Sequence, residues 1–406
     1  MLQFSDIYFK YDDQPLFSGL SLTIHAGHKA CIVGRNGVGK STLFELLLGN
    51  LIPDTEGGGG MRRAVEAGLR WVWGASTRPA VAAGLALLPL EMTFAAGVAV
   101  RNRRYDAGRL PIRSAEVPVV SVGNLAVGGS GKTPLAAWLA AWFLRRGVTP
   151  GIVTNGYGDD EMLLHRQWNP EAPVAAAGHR ARAAAVVVER GAQVVILDDG
   201  FQHRALARDL DLVLVAAEHP VPLRLLPRGP YREPEKALTR AGGVIVTRRV
   251  ASFGAARRRA RALEAVHRRR CALVSFAFSR WSDVAGAPAS APTGSALVLS
   301  GIARPWEFHG LLQRETPGME LEPMIFSDHH CYSAADVAAI ARRARGRPVV
   351  TTAKDAVKLQ RLSEHGVDAR VLHLEVVVER GRRWLEDALA ELPGIVLPSL
   401  AGGSAR

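Results

Sequence analysis

Two stretches of this chain have the residue types and spacing that hold a phosphate. In "VGRNGVGKST", residues 33–42, Gly34 is followed after four residues by Gly39, Lys40 and Ser41. In "VGGSGKT", residues 127–133, Gly128, Gly129, Ser130 and Gly131 lead into Lys132 and Thr133, with Ala126 in the place of a first glycine. The chemistry is the same in both. Glycines let backbone N–H groups turn toward phosphate oxygens, the lysine reaches the β and γ phosphates, and the Ser or Thr hydroxyl can hold Mg2+ at a helix N-terminus. Further along, "VVILDDG" ends an apolar run in Asp198 and Asp199. These are hard oxygen donors suited to magnesium beside bound phosphates, although "DDG" alone also reads as a turn. The implied ligands are ATP and Mg2+.

Such residues work only where rigid elements hold them. "VPVVSVGNL" reads as a buried strand before the second loop, and "TPLAAWLAAWFLRRG" as an amphipathic helix after it. "TPGIVTNGYG", "AQVVILDDG", "DLDLVLVAA", "GGVIVTRR", "ALVLSGIA", "RPVVTTAKD" and "ARVLHLEVVV" supply further strands, and "SAADVAAIARRAR" a helix with Ser333 as N-cap. Alternation of strands and helices predicts a doubly wound α/β fold. The Arg-rich segment 256–270 reads as a solvated helix bridging two lobes.

The remainder of the chain is organised differently. Residues 1–55 alternate apolar and polar positions up to the first loop and stop at "EGGGG", a linker or junction. From Ala80 to Val100 runs an apolar stretch broken by Pro89 and Glu91, with arginines on both flanks. It approaches the roughly 20 residues of a membrane span, but the Pro, the Glu and the two-sided basic flanks favour a helix that lies on or dips into an anionic leaflet. A buried core helix and a true span remain the alternatives. Of 406 residues 48% are hydrophobic and 22% charged, an ordinary globular composition. The formal charge of +13 suits nucleic acid, anionic lipid or a phosphorylated substrate, and with 6% aromatics and no basic-aromatic alternation, nucleic acid ranks lowest. Three widely spaced cysteines argue against a zinc or disulfide framework, and the first residues do not read as a secretory signal.

Residues 1–56 resemble the opening of an ABC-type ATPase domain, with Tyr11 where that family stacks an aromatic on adenine and "GRNGVGKSTL" as its loop. No "LSGGQ" signature or Walker B carboxylate follows, so Gly34, Gly39, Lys40 and Ser41 are expected to form a non-catalytic second P-loop. From Met61 to about Glu391 the chain resembles the tetraacyldisaccharide 4'-kinases, which make lipid A. The resemblance rests on "PVVSVGNLAVGGSGKTP", "GYG", "VVILDDGFQHRALARDLDLVLV", "LPRGPYREP", "SGIARPWEF", "SDHHCYSAADV" and "TTAKDAVKL".

That resemblance implies a two-lobed α/β/α P-loop kinase with an N-terminal membrane-associated helix, preceded here by the extra P-loop fragment. The expected divisions are 1–56, a Gly linker 57–60, a membrane-associated segment 61–105, a kinase lobe 106–275 and a second lobe 276–395. It implies transfer of the ATP γ-phosphate to the 4'-hydroxyl of a lipid disaccharide 1-phosphate at the cytoplasmic face of the bacterial inner membrane, with no obligate protein partner. By the same resemblance Asp160 is the base, with Asp159 as its alternative, His329 is its partner, and Arg180 and Arg232 face anionic phosphate. Asn155 and Ala353 depart from the family pattern, and "GYG" runs into "DDEM" without the longer segment expected there. The alternatives are an ABC-type ATPase subunit or a catalytically impaired nucleotide-binding protein on the membrane.

Overall fold

Apolar runs of four to seven residues, buried along their whole length, build the centre of the structure. The computed structural model describes residues 2–11, 14–24, 68–69, 72–73, 77–155, 159–218 and 223–397. The first glycine loop, with Gly34, Gly39, Lys40 and Ser41, lies outside the described residues, as do the Gly57–Gly60 run and "GYG" at 156–158.

The chain divides into two units. One comprises Met1–Phe94 with Arg224–Pro230. In it β1 (Leu2–Tyr11) and β2 (Gln14–Ile24) pair antiparallel, Leu2 opposite Ile24. Helix α1 (Arg78–Ala86) opens with Pro79 in its first turn, where a missing N–H costs nothing. Helix α2 (Leu88–Asp106) follows and buries none of its residues. Glu91, which interrupts the apolar stretch, accepts a hydrogen bond from Leu225 N at 2.8 Å and pairs with Arg228 at 3.1 Å. A charge that argues against a spanning helix is thereby matched by a partner from another segment.

The second unit, Ala95–Leu223 with Tyr231–Arg406, holds an 11-stranded sheet. Its elements in chain order are β3 (Val119–Asn124), α3 (Lys132–Leu144), β4 (Pro150–Thr154), α4 (Asp159–Trp168), β5 (Val174–Ala176), α5 (Arg180–Glu189), β6 (Val194–Asp198) and β7 (Leu210–Ala216). Then come β8 (Gly243–Arg248), α6 (Phe253–His267), β9 (Cys271–Ser282), β10 (Ser295–Ser300), α7 (Pro305–Glu315), β11 (Glu320–Ile325), α8 (Ala334–Ala344), β12 (Val349–Thr352), α9 (Ala353–Ala356), β13 (Ala369–Arg380) and α10 (Arg382–Ala390). The strand order is β11-β10-β12-β13-β9-β8-β7-β3-β6-β4-β5. All neighbours run parallel except β13 and β9.

The boundary expected at 275/276 falls inside β9, a strand of this continuous sheet. Parallel strands covered on both faces carry continuous apolar sequence, as β3, β6 and β7 do. Helix α3 is more than amphipathic, with Leu135, Leu139, Trp142 and Phe143 all buried, because Leu385 and Leu389 of α10 join the same core. The Arg-rich α6 buries Ala256, Ala260 and Leu263 against β8 and β9 and exposes most of its arginines. It is a covering helix of the sheet rather than a bridge. Ser333 caps α8 as expected, in a reciprocal capping box with Asp336.

Candidate functional site

Strand β3 lies between β7 and β6, the point where the strand order changes direction, and loops at the carboxyl ends of such strands form ligand crevices. The second glycine loop leaves β3 there. Asn124 donates to the Ser130 hydroxyl at 2.8 Å, and Gln202 donates to the Asn124 carbonyl at 2.7 Å, fixing both ends of the loop. Gly128 and Gly131 have φ of +96° and +91°, a region that L side chains enter only with strain. At Gly131 a Cβ would also come within 2.1 Å of the Phe276 ring. Arg249 donates to the Gly129 carbonyl at 2.6 Å and pairs with Glu307 at 2.9 Å.

Lys132 opens α3 and places Nζ 3.5 Å from Asp199 Oδ1. Asp199, at the turn after β6, has φ of 60° and accepts from Arg232 at 3.2 Å. Arg180, buried, donates to the carbonyls of Asp198 at 3.1 Å and Asp199 at 3.4 Å, clamping that turn. Asp198 Oδ2 lies 3.0 Å from His165 Nε2, and both side chains are buried. Burial pushes the Asp199 carboxyl up, yet the charges of Lys132, Arg232 and Arg180 outweigh it and hold the group far below the usual carboxylate range. Asp198 Oδ1, Asp199 Oδ1 and Glu161 Oε2 are buried without a hydrogen-bond partner. Among the described residues, no three Asp, Glu, His or Cys side chains gather as a metal cage.

Opposite this turn stand Asp160 and Glu161, in the first turn of α4. His329, with φ of 58°, sits in the loop between β11 and α8 and brings Nδ1 to 3.2 Å from Asp160 Oδ1 and 3.0 Å from Oδ2. Two lysines converge on the same carboxylate, Lys358 at 3.5 Å and Lys354 at 3.8 Å. Only 3% of Asp160 is exposed, and burial alone would raise its pKa. The His329 hydrogen bond and the charges of His329, Lys354 and Lys358 reverse that and keep it ionised. Glu161 goes the other way: burial and the charge of Asp198 push it up to about 7, against weaker pulls from Lys354, His329 and Lys132.

The structure thus brings together Lys132, Asp198, Asp199, Arg180 and Arg232 on one side and Asp160 with His329 on the other. Glu161 senses charges from both. Thr133 follows Lys132 in α3, whereas the side chain of Asp159 lies outside the described residues. Sequence reasoning missed His165, Lys354 and Lys358. The two lysines stand four residues apart in "TTAKDAVKL", a stretch quoted for its resemblance, but nothing local points them at a carboxylate far away in sequence.

A glycine turn between a buried parallel strand and a helix, with lysine and threonine opening the helix and an aspartate pair ending the adjacent strand, makes this an α/β protein of the P-loop class. The family model for tetraacyldisaccharide-1-P 4'-kinase matches residues 83–161 and 157–392. A tetraacyldisaccharide 4'-kinase of Anaeromyxobacter dehalogenans (strain 2CP-C) is 40% identical over 347 residues, 76% of this chain and 90% of that protein. Another, from Anaeromyxobacter sp. (strain Fw109-5), is 37% identical over 369 residues, 81% of this chain and 98% of that one. The crystal structure of LpxK from Aquifex aeolicus in complex with ATP superposes with a TM-score of 0.60 at 27% identity, over 75% of this chain and 98% of that chain. The chain belongs to the tetraacyldisaccharide-1-P 4'-kinase family. Residues 17–72 separately match the model for ABC transporters.

Proposed function

We propose that the protein transfers the γ-phosphoryl group of ATP to the 4'-hydroxyl of a tetraacyldisaccharide 1-phosphate, and that the loop at 127–133 carries the chemistry. The observation behind this reading is helix α4, which carries Asp160, 3.0 Å from His329, in its first turn and His165, 3.0 Å from Asp198 beside the loop, further along. A nucleotide on the loop and a hydroxyl at Asp160 therefore meet in one cleft. Backbone N–H groups of Gly128, Gly129, Ser130 and Gly131 cradle the phosphates and Lys132 neutralises them. Asp160 accepts the hydroxyl proton as the new O–P bond forms and the bond to ADP breaks. A carboxylate with a low pKa suits this task, because phosphoryl transfer passes through a loose transition state in which the hydroxyl loses its proton late. His329 orients Asp160.

The donor set fits magnesium. Two carboxylate oxygens without a hydrogen bond, on Asp198 and, facing Lys132, on Asp199, with the hydroxyl of Thr133 next to Lys132, are hard ligands of the number Mg2+ takes when substrate phosphates and water complete its shell. The ion would neutralise charge developing on the phosphates. Arg180 holds the Asp198–Asp199 turn by two backbone carbonyls, and its Nε and Nη1 have no partner. Arg180 and Arg232 are the proposed contacts to anionic phosphate.

Helices α1 and α2 serve as the membrane anchor in this reading. Val81, Leu85, Leu88, Leu90, Met92 and Val100 are exposed, and Arg103 and Arg104 lie in the last turn of α2. Among the described residues no single helix is long and apolar enough to cross a bilayer, although α1 and α2, bent by 48°, together have the length and composition. An interfacial helix with basic flanks on the cytoplasmic leaflet matches this composition. The fragment around Lys40 has no catalytic role here.

Labelled ATP, Mg2+ and tetraacyldisaccharide 1-phosphate test the assignment. The unaltered protein should place the label on the 4'-oxygen, Lys132→Ala should lose this activity, and Lys40→Ala should keep it. Loss in Lys40→Ala with retention in Lys132→Ala would overturn the choice of loop.

A further inference from the structure

The reading of Asp160 as base leaves Lys354, a half-buried cation, without a task. Lys354, from the short helix α9, donates to Asp328 at 3.0 Å and lies 3.1 Å from His329 Nε2. Its Nζ also stands 3.8 Å from Asp160. An ammonium has three N–H donors and no acceptor. At 3.1 Å it can face an imidazole nitrogen only if that nitrogen offers a lone pair, since two N–H donors at this distance repel. The other ring nitrogen, Nδ1, faces the Asp160 carboxylate, an acceptor. Both contacts are satisfied together by one protonation state. We propose that Lys354 is a positioning residue that keeps His329 Nε2 an acceptor of its ammonium and so fixes the single proton of the neutral ring on Nδ1, directed at Asp160.

This inference rests on the functional reading above and adds a cause for the dyad's orientation. The groups facing His329 are Asp160 and Glu161 of α4, Lys354 of α9 and Asp328 beside it in its own loop. Lys358 reaches Asp160 but has no contact with the ring. The Asp160 hydrogen bond, with the charges of Asp328 and Asp160, raises the ring above the ordinary histidine value despite its burial. Lys354 opposes this rise, and Lys354 stays charged because Asp328, Asp160 and Glu161 outweigh its burial. A ring whose Nδ1–H is fixed toward Asp160 orients the carboxylate that must accept the hydroxyl proton. The signal was present in sequence as a lysine in "TTAKDAVKL", but its target is 25 residues away in the chain and only the fold supplies it.

The test uses the full-length protein labelled with 15N-histidine, the His329 signals being assigned from their loss in His329→Gln. On the alkaline side of its titration His329 should show the Nδ1–H tautomer. In Lys354→Met the tautomer preference should be lost and the ring should hold its second proton to higher pH, since the opposing ammonium is gone. Turnover should fall roughly 10- to 100-fold, the scale of a small misplacement, with the ATP dissociation constant within about twofold. Lys354→Arg should restore much of the turnover. Should Lys354→Met fail to fold, Lys354→Gln keeps a donor to Nε2 without the charge, and should preserve the tautomer while raising the ring's pKa. An Nε2–H tautomer in the unaltered protein, or unchanged titration in the variants, overturns the proposal. So does a weakened ATP affinity with normal ring titration, which would make Lys354 a nucleotide contact. Asp160→Asn, assayed alongside, separates the two ideas. Normal turnover there removes the base assignment whatever His329 does, whereas lost turnover with unaltered ring titration in Lys354→Met removes only the role of Lys354.

Discussion

Glu161→Gln should make the nucleotide-free protein more stable, and increasingly so as pH rises. The Glu161 carboxyl is packed beside Asp198 and raised from 4.5 to about 7 by burial and by that like charge. A raised carboxyl pKa means that below pH 4.5 both folded and unfolded chains carry the proton, and no penalty arises. Between 4.5 and about 7 the unfolded chain has released it and the folded one has not, so stability falls as pH increases. Above 7 the loss is complete. At 1.36 kcal/mol per unit, the full shift is worth roughly 3 kcal/mol, a large share of a typical domain's stability. Glutamine keeps the shape and cannot ionise. Urea unfolding of both proteins in a chelator, from about pH 5 to pH 8.5, should show the difference in unfolding free energy growing by roughly 2 to 3 kcal/mol in favour of the variant. Parallel stability curves would show that Glu161 does not feel Asp198.

Two further outcomes follow from the loop and the anchor. Gly131→Ala combines a φ of +91° with a Cβ 2.1 Å from the Phe276 ring, so ATP binding measured by calorimetry should weaken by at least about tenfold while the rest of the sheet stays folded. Leu85→Asp with Leu90→Asp replaces two exposed apolar side chains on α1 and α2. Sedimentation with vesicles containing anionic lipid should drop sharply, and activity on detergent-dispersed substrate should persist.

Much of the sheet was legible because its strands are buried on both faces and therefore apolar throughout. The runs at β3, β6, β7, β8, β10, β12 and β13 need no tertiary context. Three strands escaped that logic. β5 spans only three residues, too short a run to register. β9 begins directly after "HRRR", where a change of composition reads as a boundary, and β11 carries Glu320, Glu322 and Pro323 at the sheet edge, where one partner strand suffices. The Arg-rich helix misled for a different reason. It is anchored by Ala256, Ala260 and Leu263, two small residues and a single large one that leave little periodic signal among arginines.

The site shows the same division. The loop and the Asp198–Asp199 turn are local, since glycines, lysine and carboxylates stand next to the elements that hold them. Asp160 and His329 are 169 residues apart and could be paired from the sequence only through family resemblance. His165 and Lys354 had no such help, and their roles come from buried contacts that sequence spacing cannot express.

The central claim is that Asp160, oriented by His329, takes the proton from the hydroxyl attacking ATP on the 127–133 loop. Single-turnover phosphorylation of tetraacyldisaccharide 1-phosphate by Asp160→Asn tests it most directly, with ATP affinity measured on the same sample. The account predicts a rate lower by about 100-fold or more, nearly unchanged ATP binding, and little further loss when His329→Ala is added. A near-normal rate in Asp160→Asn, or losses that simply multiply in the double variant, would contradict it.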